Sequence, residues 1–163
     1  MTTPSPAPAK ARTILLAAVL GGTLLRILVG STLGLGIDEQ YALAVGRGFQ
    51  WSFLDHPPLG FWLGTLAWNL TGSAAPLAMR MPFILLAVLT TILLARFTAR
   101  LFGPMAGAWA AVLFNLTPLF AIVGGSWVMP DGPLLAAAIA SACCLLPVVL
   151  ESEDRPLRGA RAW

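Results

Sequence analysis

Long apolar runs alternate with short polar interruptions along this chain, and the length of the runs sets the architecture. Residues 13–35 are apolar apart from Arg26. A polar segment, 37–55, comes next, then an apolar run over 57–70 and a breaker cluster at 71–76. Three intervals without charge complete the pattern: 81–95, 101–130 and 132–150. Alone or with its flanks, each approaches the roughly 20 apolar residues that a bilayer-spanning helix needs. The pattern predicts an all-α polytopic membrane protein. Its spans are 13–35, 81–95, a third run from the Phe102-Gly103-Pro104 break to Gly124-Gly125, and a fourth ending at Leu150.

The run at 57–70 is the ambiguous one. Its fourteen residues reach about 21 Å as a helix, short of a hydrocarbon core of about 30 Å. Charge placement decides. If the run does not span, Lys10, Arg12, Arg96, Arg100, Arg155, Arg158 and Arg161 share one side and only Arg47 and Arg80 lie opposite. If it spans, only Lys10, Arg12 and Arg80 stay with the N-terminus. The positive-inside rule selects the four-span arrangement with a cytoplasmic N-terminus. The expectation is therefore four transmembrane helices plus two interfacial helices on the outer face, the second carrying Trp62 and Trp68 at headgroup level.

Composition agrees. The 163 residues are 58% hydrophobic and only 10% charged, too little polar surface to enclose a soluble core of this size. The net charge of +3 follows from sidedness, and no Lys/Arg stripe with interleaved aromatics points to a nucleic-acid partner. Cys143 and Cys144 are neighbours in an apolar run with no ligand-type residues nearby in sequence, so they suggest no metal site. The first twelve residues, MTTPSPAPAKAR, have the composition of a disordered tail. Lys10 and Arg12 could open a secretory signal, but apolar sequence continues past Arg26 to Gly36 and favours an uncleaved first helix. The domain division is then a tail at 1–12, a membrane region at 13–150 with an outer loop at 37–80, and a charged cytoplasmic tail at 151–163.

On this topology three segments far apart in sequence deliver Asp38, Glu39, Asp55 and Asp131 to the outer, water-facing ends of helices. That convergence marks a candidate site. Asp38 has two readings that the residues alone leave open: a helix N-cap, or a catalytic or metal-binding acid at the membrane surface. Asp55 or His56 could cap the next helix, with proline in its first turn, or the pair could hold a metal or a phosphate-bearing substrate. Asp131-Gly132-Pro133 has the same two readings at the fourth helix. Arg80 stands on the minority side of the charge count. Arg26, inside a span, either snorkels to the outer interface or faces a polar cavity. Gly103, Gly107 and Ala111 form a small-residue face for close helix contact. The two Asn-x-Thr sequons, at Asn69 and Asn115, fall at an interface and inside a span and read as chance. The chain has no Gly-rich phosphate loop, nucleophile elbow or internal repeat.

In order, Asp38-Glu39 with Tyr41, the WSFLDHPPLGFWL segment, Arg80-Met81-Pro82, Arg100-Leu101-Phe102-Gly103 and Pro130-Asp131-Gly132 resemble the membrane-embedded GT-C glycosyltransferases. The likeness is to the bacterial relatives of dolichyl-phosphate-mannose–protein mannosyltransferase and the lipid A aminoarabinose transferase, and it covers nearly all of the chain beyond residue 12. The resemblance implies an enzyme in the plasma (inner) membrane. It would move a sugar from a polyprenyl-phosphate donor to a lipid, glycan or protein acceptor at the outer face, with inversion. Asp38 would be the base and Glu39 its catalytic neighbour. Tyr41, Asp55, His56, Arg80 and Asp131 would bind substrate, with Arg80 on the leaving phosphate. A divalent cation could sit on Asp55, His56 and Asp131. Members of that family continue through many more helices, so the expectation is an N-terminal portion whose activity alone is in doubt. Two rival readings, a transporter fragment and a non-catalytic membrane subunit, would use the same acids as substrate-path residues or as caps.

Overall fold

A computed structural model describes residues 6–54 and 56–151. Among them all regular structure is helical: α1 (Pro6–Thr32), α2 (Ile37–Val45), α3 (Pro58–Thr71), α4 (Pro76–Phe102), α5 (Pro104–Leu116), a π-helical turn (Leu119–Val123), the short α6 (Gly124–Ser126) and α7 (Asp131–Glu151). α4 is the centre, packed against α1, α3, α5 and α7. Three helices are long and apolar enough to cross a membrane, within α1, α4 and α7. A fourth span exists if α5 and the turn that follows it count as one.

Two expectations change here. The first helix begins at Pro6, so residues 6–12, read from composition as part of a disordered tail, are helical. The third apolar run is not one straight helix. α5 ends at Leu116, and the segment Leu119–Ser126 turns away by 83°. Pro118 explains the break, because it offers no N–H to continue the ladder and crowds the preceding turn. Phe120 and Ala121 instead donate to the Thr117 carbonyl, at 3.0 and 2.8 Å.

The interior of the bundle is polar at one point. Arg26 is buried, 2% exposed, and does not snorkel. Its Nη1 donates to Asn115 Oδ1 at 2.5 Å and its Nη2 to the Phe120 carbonyl at 3.3 Å. Asn115 donates onward to Thr91 Oγ1 and the Ala111 carbonyl. An arginine in a span is expensive unless its donors are engaged; here Nη1 and Nη2 are bonded, Nε has no partner among the described residues, and the network joins α1, α4, α5 and the π-helical turn. Gly22 makes the approach possible: a Cβ there would lie 1.9 Å from Asn115 Oδ1. On the far side of α4, a Cβ at Gly107 would meet the Ala95 carbonyl at 2.3 Å, so the small-residue face brings α4 and α5 together. Gly103 serves differently, turning the chain between them at φ 90°.

At the other end of α4 a second buried polar unit fixes the shorter helices. Glu39 and Arg80 form a salt bridge of 2.5 Å at 0% and 1% exposure. Glu39 Oε1 accepts from Arg80 Nε (2.8 Å) and from the Val128 N–H (3.1 Å). Its Oε2 accepts from Arg80 Nη2 and, at 2.8 Å, from the Gly36 N–H. The remaining Arg80 donors reach the carbonyls of Gly30, Leu33 and Gly34 at the end of α1. All five guanidinium N–H groups are engaged. α1, α2, α4 and the chain after α6 thus meet on one ion pair. Since Arg80 opens α4 and touches the end of α1, these two helices are antiparallel. Lys10 and Arg12 therefore lie at the same end of the bundle as Arg96 and Arg100.

The segment before α3 folds back onto it. Phe53 stacks on Phe61 with ring centroids 4.2 Å apart, Phe49 stacks on Trp62 at 5.0 Å, and Trp62 Nε1 donates to the Gln50 carbonyl. Ala42, Phe53, Phe61, Ala67, Met79, Phe83 and Val128 form the core beneath.

Two stability predictions follow from these contacts. Gly22→Ala forces Asn115 and Arg26 apart and lowers stability by about 1–3 kcal/mol. Gly21→Ala meets nothing within 4 Å, so it is neutral or slightly stabilising; thermal unfolding in detergent compares the two. Burial pushes the Glu39 carboxyl up, but the Arg80 hydrogen bonds, the Gly36 and Val128 amides and the Arg80 charge outweigh it and hold its pKa below the ordinary value. The pair's contribution is therefore full above the ordinary glutamate range and is lost as pH falls through the lowered value. Glu39→Gln costs about 3–5 kcal/mol at neutral pH, leaving Arg80 buried without its counter-ion. It also flattens the acid limb of the unfolding-midpoint profile.

Candidate active site

The N-cap of α2 is Gly36, with extended backbone (φ −66°, ψ 167°). Glu39 stands three residues on and reaches back to the Gly36 N–H, one half of a capping box. Asp38 is therefore not the cap. It lies inside the first turn with its side chain exposed, next to the positive end of the helix. Glu39, one residue further round the same turn, points inward. Two adjacent acids thus take opposite roles by rotation about the helix axis: Glu39 fastens the helix and Asp38 faces out.

Asp38 faces a cavity of about 300 Å³. Its walls are Ile37, Asp38, Tyr41 and Ala42 of α2, His56 just before α3, Gly60 and Phe61 of α3, and the turn Val128–Pro130 before α7. Three stretches remote in sequence meet here. His56 lies edge-on to Phe61, centroids 6.0 Å apart, and Tyr41 meets the same ring at 6.2 Å. The Val128 amide is held by Glu39, so the ion pair that fastens α2 also sets the opposite wall. Gly60 and Gly64 let that wall approach α3. A Cβ at Gly60 would lie 3.4 Å from the Met129 backbone, and one at Gly64 would lie 3.2 Å from Val128.

The expected site residues therefore divide. Asp38, Tyr41 and His56 share the cavity. Asp131 opens α7 directly after the Pro130 wall and is half-buried. Glu39 and Arg80 lie behind the cavity and bond each other. Arg80, expected on the leaving phosphate, has each of its N–H groups bonded within the protein. His56 is not the cap of α3 either, since the N-cap is Pro57. Asp55 lies outside the described residues. Sequence reasoning missed Gly60, Phe61 and Val128–Pro130 as cavity walls. The Gly60–Gly64 spacing of four was the available signal, a small-residue face on a helix otherwise lined with bulky side chains.

A divalent cation needs several oxygen or nitrogen ligands converging on one point. Among the described residues no group of three His, Cys, Asp or Glu side chains is placed to hold one. The expected ligand set includes Asp55, which lies outside the described residues, and the chemistry considered below uses no step through a metal.

What the arrangement can do follows from its composition. It offers an exposed carboxylate as proton acceptor, an imidazole, a phenol and apolar walls, at the end of the bundle remote from the Lys10–Arg100 cluster. A sequence comparison narrows the field. The family model described as dolichyl-phosphate-mannose-protein mannosyltransferase matches residues 55–162, more than half of the chain. Neither a search of curated proteins nor one of solved structures returns a match. The matched region starts beyond α2 and includes Arg80 and Val128, two of the three residues that hold Glu39. This chain is a multi-pass membrane protein that belongs to the dolichyl-phosphate-mannose–protein mannosyltransferase family of membrane glycosyltransferases.

Proposed function

We propose that the chain carries the catalytic base of a transferase that moves a sugar from a polyprenyl-phosphate carrier to an acceptor hydroxyl at the outer face of the plasma membrane. The observation that supports this reading most is the position of Asp38. It is an exposed carboxylate on the wall of a cavity, beside a neighbouring acid fully occupied in holding the helix. Lys10, Arg12, Arg96 and Arg100 gather at the opposite end of the bundle, which favours a cytoplasmic N-terminus and an outward-facing cavity.

In this mechanism the acceptor oxygen attacks the anomeric carbon from the face opposite the phosphate, and its proton passes to Asp38. The bond from the anomeric carbon to the phosphate oxygen breaks, and its electron pair leaves on that oxygen. One displacement inverts the configuration and forms no covalent sugar–enzyme intermediate. Because Arg80 is fully engaged elsewhere, His56 is the described cavity residue suited to donate an N–H to the leaving phosphate. Tyr41 offers its hydroxyl to the sugar or the acceptor, and Asp131 stands at the cavity edge for an acceptor hydroxyl. Glu39 and Arg80 act as positioning residues.

A transport reading would use the bent α5 segment and buried Arg26, the features of a discontinuous helix around a substrate path. Arg26, however, is closed off at 2% exposure, and the family membership favours the transferase.

Membranes containing the expressed chain, supplied with a set of polyprenyl-phosphate-linked hexoses, provide the test. Release of free polyprenyl phosphate is followed by mass spectrometry. Asp38→Asn should lower that release by about 10²–10⁴-fold at unchanged expression and unfolding midpoint. Undiminished release by Asp38→Asn would remove Asp38 as the base, and no release by the unaltered chain from any donor would remove the transferase reading.

A further inference from the structure

A second cavity, of about 280 Å³, opens beside α2 and α3 and among the described residues shares no lining residue with the first. Its walls are Leu43, Arg47, Thr65, Trp68 and Asn69. Arg47 is exposed, with its guanidinium carbon 5.9 Å from the centroid of the Trp68 ring. A guanidinium lying over an aromatic face is partly pre-oriented and keeps its N–H edges available. Thr65 closes the floor, donating its hydroxyl proton to the Gly46 carbonyl at 2.6 Å. Asn69 presents an exposed amide.

The charge pattern points to the ligand. No carboxylate among the described residues lines this cavity. Among the described residues, Arg47 and Arg80 are the arginines at this end of the molecule, and every N–H of Arg80 is occupied internally. Arg47 has none of the carboxylate and carbonyl partners that saturate Arg80. A planar fork of donors beside an amide suits a phosphate group, while Leu43 and the Trp68 ring suit the alkyl chain attached to it.

We propose that this cavity binds the phosphate of an amphiphile, with Arg47 on the phosphate oxygens, Asn69 as an added donor, and Leu43 and Trp68 against the start of the chain. Gly60 of the first cavity and Trp68 of the second stand eight residues apart on α3, about 12 Å along the helix. A phosphate held by Arg47 is therefore not the one whose bond breaks beside Asp38. The site holds a second phosphate-bearing lipid, and its existence does not depend on Asp38 being a base.

The test uses the purified chain in a neutral maltoside detergent and radiolabelled dodecyl phosphate as the probe. Saturable binding is expected, weakened at least about tenfold by Arg47→Gln. Arg47→Lys, which keeps the charge and loses the fork, should fall between the two. Asp38→Asn, which stops transfer on the reading above, should leave this binding unchanged, so the two proposals fail separately. Unlabelled inorganic phosphate should compete poorly. Equal binding by Arg47→Gln at an unchanged unfolding midpoint, or no saturable binding at all, would overturn the site. Inorganic phosphate competing as well as dodecyl phosphate would overturn its assignment to a lipid.

Discussion

Removing a glutamate and an arginine from water costs several kcal/mol for each ion, and the fold tolerates it only where every polar atom of the pair finds a partner. Glu39 and Arg80 meet that condition. The carboxylate accepts four hydrogen bonds, from Arg80 Nε and Nη2 and from the Val128 and Gly36 amides. The guanidinium donates five, three of them to carbonyls at the end of α1. The Gly30 carbonyl is among the last of α1, where helical partners run out, and Leu33 and Gly34 directly follow the helix. One ion pair thus closes the end of α1, starts α2, anchors α4 and holds the turn before α7. The cavity walls follow from these four attachments.

The position of Asp38 is a consequence of the same pair. Successive residues on a helix point about 100° apart, so drawing Glu39 fully inward turns its neighbour toward the solvent-facing wall. An isolated first-turn acid would have some freedom to swing. Here the helix that carries it is tied at Gly36 and Glu39, and the opposite wall is tied to the same carboxylate through Val128. Asp38 and the facing wall share one anchor, which is the kind of preorganisation that the proposed displacement at a sugar carbon demands. On the proposed function, the chain keeps the carboxylate that takes the proton exposed while burying the charges that aim it.

The long helices were legible because a span declares itself by length and apolarity. α4 and α7 appear where the charge-free intervals lie, and α3 matches the run at 57–70 to within a residue at each end. The break after α5 was written in Thr117-Pro118, yet hydropathy ran on unchanged to Gly125, so composition hid a bend that only the backbone ladder requires. The start of α1 was missed for the reverse reason: proline and alanine read as tail, but proline is tolerated in a first helical turn. Topology led to the expectation that Asp38, Glu39, Asp55 and Asp131 share one surface; Asp55 lies outside the described residues, and the cavity unites Asp38 with His56 and the turn before Asp131. The role of Arg80 was not, because charge counting registers a minority-side arginine without showing whether its donors face substrate or a buried partner. Arg26 taught the same lesson, since its partner Asn115 is remote in sequence and looked like part of a chance sequon.

The claim on which the account turns is that Glu39 holds α2 against the turn before α7, so that Asp38 looks across a cavity at that turn. Cross-linking measures this directly. In a background with Cys143→Ser and Cys144→Ser, the pair Ile37→Cys and Met129→Cys places a thiol on each wall, and a short bifunctional thiol reagent reads their proximity. The account predicts efficient cross-linking when Glu39 is present and a marked loss when Glu39→Gln is added. Absence of the cross-link with Glu39 intact, or equal yields in both backgrounds, would contradict it.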